Sequence, residues 1–291
     1  MGLDFLATPN RVYLFAPANH PRRSEKVFRV GADAAILDLE DSVAKSEKES
    51  ARQRAVLALK NKASCRAFIR INDVTTEFCF GDVLAAVTSE LDGIVLPKVE
   101  DIAQLKTISW MISALEKERS LPAGQIEIVP IIESAKGIDL VNDIAKADSR
   151  IRRILFGAVD YSKDLNLLPT QDEQELGFAR ARLVIASRLA NIEPPLDSVW
   201  LNINDLKGLQ KSTQRVRSLG FQGRLAIHPD QVPIIKNVFV PSAEEVELAR
   251  KLVRGFEEAE GQGSASIQID GHFVDYPVYE QALRTIAAIR D

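Results

Sequence analysis

The stretch Ala34-Ala-Ile-Leu-Asp-Leu-Glu-Asp41 decides the fold. Four apolar residues run without a break and then meet three carboxylates, Asp38, Glu40 and Asp41. A continuous apolar run suits a strand covered on both faces, as in a parallel sheet flanked by helices. Acid arriving where the run stops marks the strand's carboxyl end. The pattern recurs outward in both directions. Strand-type runs are predicted at 12–16, 34–39, 67–71, 93–97, 126–132, 153–156, 198–201 and 224–227. Helical periodicity fills several of the intervals, at 47–60, 102–117 and 174–190. Eight β–α alternations favour a closed (β/α)8 TIM barrel over an open doubly wound sheet.

In such a barrel the chemistry gathers at the carboxyl ends of the strands. The chain breaks into polarity at those ends: Ile69-Arg-Ile-Asn72, Val95-Leu-Pro-Lys98, Pro130-Ile-Ile-Glu-Ser134, Phe156-Gly-Ala-Val-Asp160 and Ile227-His-Pro229. Taken singly, Asp41 or Ser134 reads as a helix N-cap, and His228 as a buried, hydrogen-bonded histidine. Taken together, they place charge on one rim. Arg70, Glu133 and Asp160 buried without partners would cost several kcal/mol each, so mutual pairing or a shared ion is expected. Glu133 and Asp160 are one β–α unit apart and belong on adjacent strands. Two carboxylates with no neighbouring Cys or His suit a hard cation such as Mg2+. The planar fork of Arg70 suits a carboxylate-bearing substrate.

Beyond the barrel, assigned to residues 1–240, a C-terminal extension spans 241–291. Ser242 with Glu245 forms a capping box opening a helix to about residue 260. Two short strands around 267–269 and 273–274 flank the turn pair Asp270-Gly271, and a last helix is expected at 279–289. The extension cannot bury an apolar face alone and must pack on its own barrel or a neighbouring subunit.

The formal charge of −4 argues against nucleic acid as a partner. No apolar run approaches the roughly 20 residues of a membrane helix, so no membrane partner is expected. The opening segment lacks a basic region followed by an unbroken apolar stretch, so no signal peptide is expected. Cys65 and Cys79 lack metal-ligand spacing and read as reduced thiols of a cytoplasmic protein. Phosphate-loop, dinucleotide-fingerprint, nucleophile-elbow and zinc-protease motifs are missing, which removes those enzyme classes.

The ordered motifs resemble the citrate lyase β-subunit-like (CitE-like) proteins of the HpcH/HpaI aldolase superfamily. The resemblance rests on Arg11-Val-Tyr-Leu-Phe-Ala-Pro-Ala18, Gly31-Ala-Asp33, Leu37-Asp-Leu-Glu-Asp41, Lys48-Glu49 with Ala51-Arg52, Arg70-Ile-Asn72, Asp92-Gly-Ile-Val-Leu-Pro-Lys98, Ile132-Glu-Ser134 and Phe156-Gly-Ala-Val-Asp160. Ala179-Arg-Ala-Arg182, Gly220-Phe221, Ile227-His-Pro229, Gln231, Asp270-Gly271 and Val274-Asp275 with Pro277 complete it. It implies a (β/α)8 barrel, Mg2+ and a homotrimer whose tail reaches a neighbouring active site. The implied chemistry is cleavage of 3-hydroxy-acyl-CoA thioesters of the citryl-, malyl- or citramalyl-CoA type to a keto acid and acetyl-CoA. Glu133 and Asp160 match the metal ligands, and Arg70 the substrate-carboxylate arginine. Glu40 and Asp41 match acidic residues near the metal waters, and Asp275 a tail acid/base. Arg22, Arg23 and Lys26 are candidates for the CoA phosphates. Ala18 and Asn166 replace common glycines and bear on CoA or acyl specificity. The alternatives are a pyruvate aldolase independent of CoA, disfavoured because Glu40-Asp41-Ser42 stands where such members carry histidine, and a citrate lyase β subunit active only on an acyl-carrier-protein thioester. A non-catalytic RNA-binding scaffold is disfavoured because the carboxylate pair is intact.

Overall fold

The computed structural model describes residues 10–289, and the chain divides into a unit from Asn10 to Lys236 and a second from Asn237 onward. The first unit is the barrel. Its strands are β1 (Val12–Pro17), β2 (Ala34–Asp38), β3 (Arg66–Arg70), β4 (Gly93–Leu96), β5 (Glu127–Ile132), β6 (Leu155–Phe156), β7 (Leu196–Asp197) and β8 (Gly223–Ala226). Each pairs in parallel with the next, and β8 closes on β1 through Val12↔Arg224 and Leu14↔Ala226. The expected (β/α)8 barrel is therefore present. Tyr13, Ile36, Phe68, Val95, Val129, Ile131, Leu155, Leu196 and Leu225 fill its interior, so it is a packed core and not a pore.

Register explains the placement of charge. Asp38 is the last residue of β2 and lies directly opposite Arg70, the last residue of β3. Ile132 lies opposite Phe156, so the segments that follow, carrying Glu133 and Asp160, leave the barrel side by side. At the opposite end the buried guanidinium of Arg153 closes the floor. It donates to Tyr13 Oη at 2.9 Å and Glu127 at 2.6 Å, and pairs with Glu193 at 2.6 Å. The pairings satisfy a charge that would otherwise be costly in the core.

Several helix starts follow local rules. Ser134 caps the turn Ala135–Asp139 by accepting the Gly137 N–H at 3.1 Å. Asp101 and Gln104 form a capping box on Ile102–Glu118. Asn166 sits at φ +53°, a left-handed backbone that asparagine tolerates better than most residues. Ala18 is fully buried and its N–H donates to the Asp38 carbonyl at 3.0 Å.

Two expected elements are displaced. The seventh strand is Leu196–Asp197, not 198–201. A charged residue reads as the outside of a strand, but Asp197 is completely buried between Arg180 and Arg224. The residues after it leave the ladder, and Ser198 Oγ instead accepts the Ala158 N–H at 3.0 Å. The last helix is Tyr276–Ala287, beginning before residue 279. Pro277 is tolerated in the first turn, where its missing N–H has no helical partner to lose.

The second unit holds helix Ala243–Gly261, with its Ser242–Glu245 capping box, and an antiparallel pair, β9 (Ile267–Ile269) and β10 (His272–Val274). Asp270 and Gly271 both have positive φ, +49° and +81°, the signature of the tight turn expected there. Leu252, Val253, Phe256, Val274 and Ala282 form its core. Among the described residues no helix is long and apolar enough to cross a membrane.

Candidate active site

At the carboxyl end of the barrel lies a cavity of about 440 Å³. Ile131, Phe156 and Leu225 contribute its apolar surface, and Arg23, Asp38, Asp41, Arg70, Glu133 and Asp160 its charged surface. Of the sequence-derived rim, Arg23, Asp41, Arg70, Glu133 and Asp160 line this cavity, while Glu40 is buried beside Arg70 and Arg22 and Lys26 are not part of the lining.

The fork of Arg70 is already engaged. Its Nε donates to Asp38 Oδ1 and its Nη2 to Asp38 Oδ2, both at 2.7 Å. Its Nη1 lies 2.9 Å from Glu40 Oε2 and 4.0 Å from Asp41. The ring of Phe15 lies beneath it, 5.0 Å from the guanidinium carbon, a cation–π arrangement. Asp38 is held from three further directions: the Glu40 N–H at 2.9 Å, the Ser42 N–H at 3.2 Å and the Ser42 hydroxyl. Burial pushes the Asp38 carboxyl upward, but Arg70 and these donors outweigh it and hold it below the usual carboxylate range.

Glu40 is buried and shares its charge between Arg70 and the ammonium of Lys98, the latter at 2.6 Å. Burial nonetheless raises its pKa. Lys48, on helix Lys48–Leu59, donates to the carbonyls of Leu39 and Glu40 at 2.7 and 2.6 Å and ties down the loop that carries Glu40 and Asp41.

Glu133 is 5% exposed. Its Oε1 accepts the Lys98 main-chain N–H at 2.7 Å, and its Oε2 takes no hydrogen bond among the described residues. Burial pushes its pKa up to about 8, with the charges of Glu40 and Asp160 adding to the effect. Its carboxylate lies over Gly157, where a Cβ would come within 2.4 Å of Oε2. Gly157 opens the helix Ala158–Asp164 that carries Asp160 in its first turn. The Asp160 carboxylate is half-buried and has no protein donor among the described residues. Described residues provide no cluster of three or more His, Cys, Asp or Glu poised to hold a metal; the carboxylates offered are this pair.

A second cavity, of about 480 Å³, is lined by Arg22, Arg23, Lys26 and His228 and shares Phe15, Pro17, Arg23 and Ile227 with the first. Arg22, Arg23 and Lys26 belong to helix Pro21–Lys26, so the three cations share one wall. His228 is half-exposed, with its Nδ1 accepting the Asp230 N–H at 3.3 Å; the expected burial is not found, because it opens onto this cavity. Ala18 and Asn166 line neither cavity. Asp275 lies in the second unit, where it is the N-cap of the last helix and accepts the Val278 N–H at 3.3 Å.

Sequence reasoning assigned no role to Asp38, Lys98, Lys48 or Gly157. Asp38 carried a usable signal: it and Arg70, of opposite charge, each end consecutive strands.

The HpcH/HpaI aldolase/citrate lyase family profile matches residues 11–229. The citrate lyase subunit beta of Leuconostoc mesenteroides is 36% identical over 278 residues, covering 95% of this chain and 92% of that protein. The L-malyl-CoA/beta-methylmalyl-CoA lyase of Cereibacter sphaeroides is 32% identical, covering 95% and 93%. Among solved structures, protein CitE of Mycobacterium tuberculosis in complex with magnesium, acetoacetate and coenzyme A superposes with a TM-score of 0.81, at 26% identity, over 97% of this chain and 99% of that one. With the barrel, the strand-end carboxylates and these matches in agreement, the chain belongs to the HpcH/HpaI aldolase/citrate lyase family.

Proposed function

We propose that this protein is a Mg2+-dependent carbon–carbon lyase that cleaves a 3-hydroxy-acyl-CoA thioester, of the citryl-, malyl- or citramalyl-CoA type, into a keto acid and acetyl-CoA. The observation that carries this reading is the pair Glu133 and Asp160 on one cavity wall. Among the described residues, one carboxylate is buried with an oxygen lacking a donor, and the other has no hydrogen-bond donor. Glu133 is costly to hold charged there unless a cation joins it. Asp38, Glu40, Asp41 and Asp160 are matched by Arg23, Arg70, Lys98 and Lys48, so a substrate carboxylate meets no surplus of positive charge until a divalent ion adds one. Two carboxylates with room for water and substrate oxygens suit Mg2+. Glu133 and Asp160 would hold it, and when bound it supplies Lewis-acid polarisation and a template for the substrate's carboxylate and hydroxyl.

The remaining roles belong to the chain. Arg70 shares its Nη1, which already meets Glu40 at 2.9 Å, with the substrate carboxylate while Asp38 and Phe15 fix its plane. Glu40 and Asp41 orient the polar shell around that carboxylate. Arg22, Arg23 and Lys26 receive the CoA phosphates in the adjoining cavity. In cleavage the hydroxyl proton passes to a cavity carboxylate such as Asp41, the carbon–oxygen double bond of the keto acid forms as the carbon–carbon bond breaks, and the electron pair of that bond passes into the thioester enolate. An acid then returns a proton to that carbon. Asp275 supplies it from another copy in a homotrimer, working in the cytoplasm.

The deciding experiment is a coupled assay of the purified protein with the three thioesters and Mg2+. Turnover of any one supports the reading. Turnover only of an acyl-carrier-protein thioester would make the chain a citrate lyase β subunit dependent on its carrier. Activity only with pyruvate and a free aldehyde would make it a CoA-independent aldolase.

A further inference from the structure

The loop after β4 contains an unusual residue. Lys98 has φ +50°, a left-handed conformation uncommon for a residue with a long side chain. Backbone strain of this kind gathers at functional sites and persists only where the surroundings over-determine it. Here both ends of the residue are committed. The main-chain N–H reaches Glu133 Oε1 at 2.7 Å, and the ammonium reaches Glu40 Oε1 at 2.6 Å. The loop is fixed from behind: the Val99 N–H donates to the Ile131 carbonyl at 3.3 Å, and the Lys98 carbonyl accepts from Gln104 Nε2 at 3.4 Å.

The consequence concerns Glu133. With Oε1 tied to Lys98 and the carboxylate packed over Gly157, the side chain has little freedom to turn. Oε2 is the oxygen without a donor. An N–H fixed by a turn orients a ligand without adding another charge to the site.

The geometry points to Lys98 as a positioning residue for the metal site: its left-handed main chain aims the N–H that locks Glu133 with Oε2 presented to the ion. This rests on the proposed role of Glu133 as a ligand. It assigns the orienting work to the backbone conformation of Lys98 and not to its charge.

Two classes of substitution separate backbone from charge. Lys98→Gly removes the ammonium and adopts the left-handed turn without strain. Lys98→Val also removes the ammonium, but its branched Cβ disfavours that turn. Lys98→Thr repeats the second case with a smaller branched side chain, should the valine variant fold poorly. The readout is Mn2+ affinity of the metal-free protein by calorimetric titration, with thermal melting confirming that each variant is folded. Lys98→Gly should bind Mn2+ as tightly as the wild type or tighter, since a nearby positive charge is gone. Lys98→Val and Lys98→Thr should bind about 10-fold more weakly or worse, the scale of losing a partner that orients a metal ligand. Wild-type affinity in a folded branched variant would overturn the inference while leaving the metal site intact. So would a glycine variant as weak as the branched ones. A wild-type protein that binds no Mn2+ would overturn the metal site together with the inference.

Discussion

Asp38 and Arg70, the facing last residues of β2 and β3, are joined by two hydrogen bonds of 2.7 Å. The guanidinium fork that could have been offered whole to a substrate is therefore part of the protein's own framework. Its plane is set before anything binds, and preorganisation of this kind removes an ordering cost from the reaction.

Asp38→Asn should leave Arg70 buried with an incomplete counter-charge. Breaking a buried pair costs about 3–5 kcal/mol, and urea unfolding should show a loss approaching that range. The pH dependence has a definite sign. The folded pKa of Asp38 lies below its unfolded value, so its contribution is complete above the unfolded value, about 4, and declines as pH falls through the folded one. Between pH 5 and pH 3 or so, the stability gap between wild type and Asp38→Asn should narrow. A gap that stays constant across that range would show that the pair contributes nothing to acid sensitivity.

Gly157→Ala should disturb the ligand pair without touching a charge. The added methyl would lie 2.4 Å from Glu133 Oε2 and 2.5 Å from its Cβ, so Glu133 or the start of the Asp160 helix must move. A loss of Mn2+ affinity of about 10-fold is expected, on the scale of other disturbances to metal-ligand orientation. Calorimetric titration checks it, and unchanged affinity would mean that Glu133 is not held against Gly157.

Chelation should abolish thioester cleavage, and Mg2+ should restore it. Glu133→Ala should remove both metal binding and turnover, while its melting temperature should hold or rise, because a carboxyl whose charged form burial disfavours is lost. Full activity in the presence of chelator would refute the metal role.

Asp275→Asn and Asp275→Ala separate capping from chemistry. Asparagine caps a helix about as well as aspartate, whereas alanine costs about 1 kcal/mol. Both variants should lose turnover with Mn2+ binding retained, and only the alanine variant should also lower the melting temperature. An asparagine variant with wild-type turnover would remove Asp275 from the mechanism.

Asp197→Ala should act on stability alone. Asp197 is fully buried, accepts from Arg180 Nε and Nη2 at 3.0 Å each, and lies 3.4 Å from Arg224 Nη2. Its removal leaves two buried guanidiniums to Glu173, at a cost of about 3–5 kcal/mol. Mn2+ affinity should be unchanged in the folded protein. Chemical denaturation giving a loss below about 1 kcal/mol would show the cluster to be redundant.

The chain's own pattern of apolar runs and strand-end charges determined the (β/α)8 fold and the rim on which Arg70, Glu133 and Asp160 meet. Those signals are local: a strand buried on both faces must be apolar along its length, and its polar residues must wait for its end. The same locality explains the misplaced seventh strand, since nothing near Asp197 in sequence announces that Arg180 and Arg224 neutralise it. Tertiary structure alone decided how the charges divide among themselves. Asp38 takes the fork of Arg70 from 32 residues away, and the Lys98 N–H takes Glu133 from 35. Such pairings depend on the register of neighbouring strands and on a backbone turn such as that at Lys98, and neither is written into residue type or spacing.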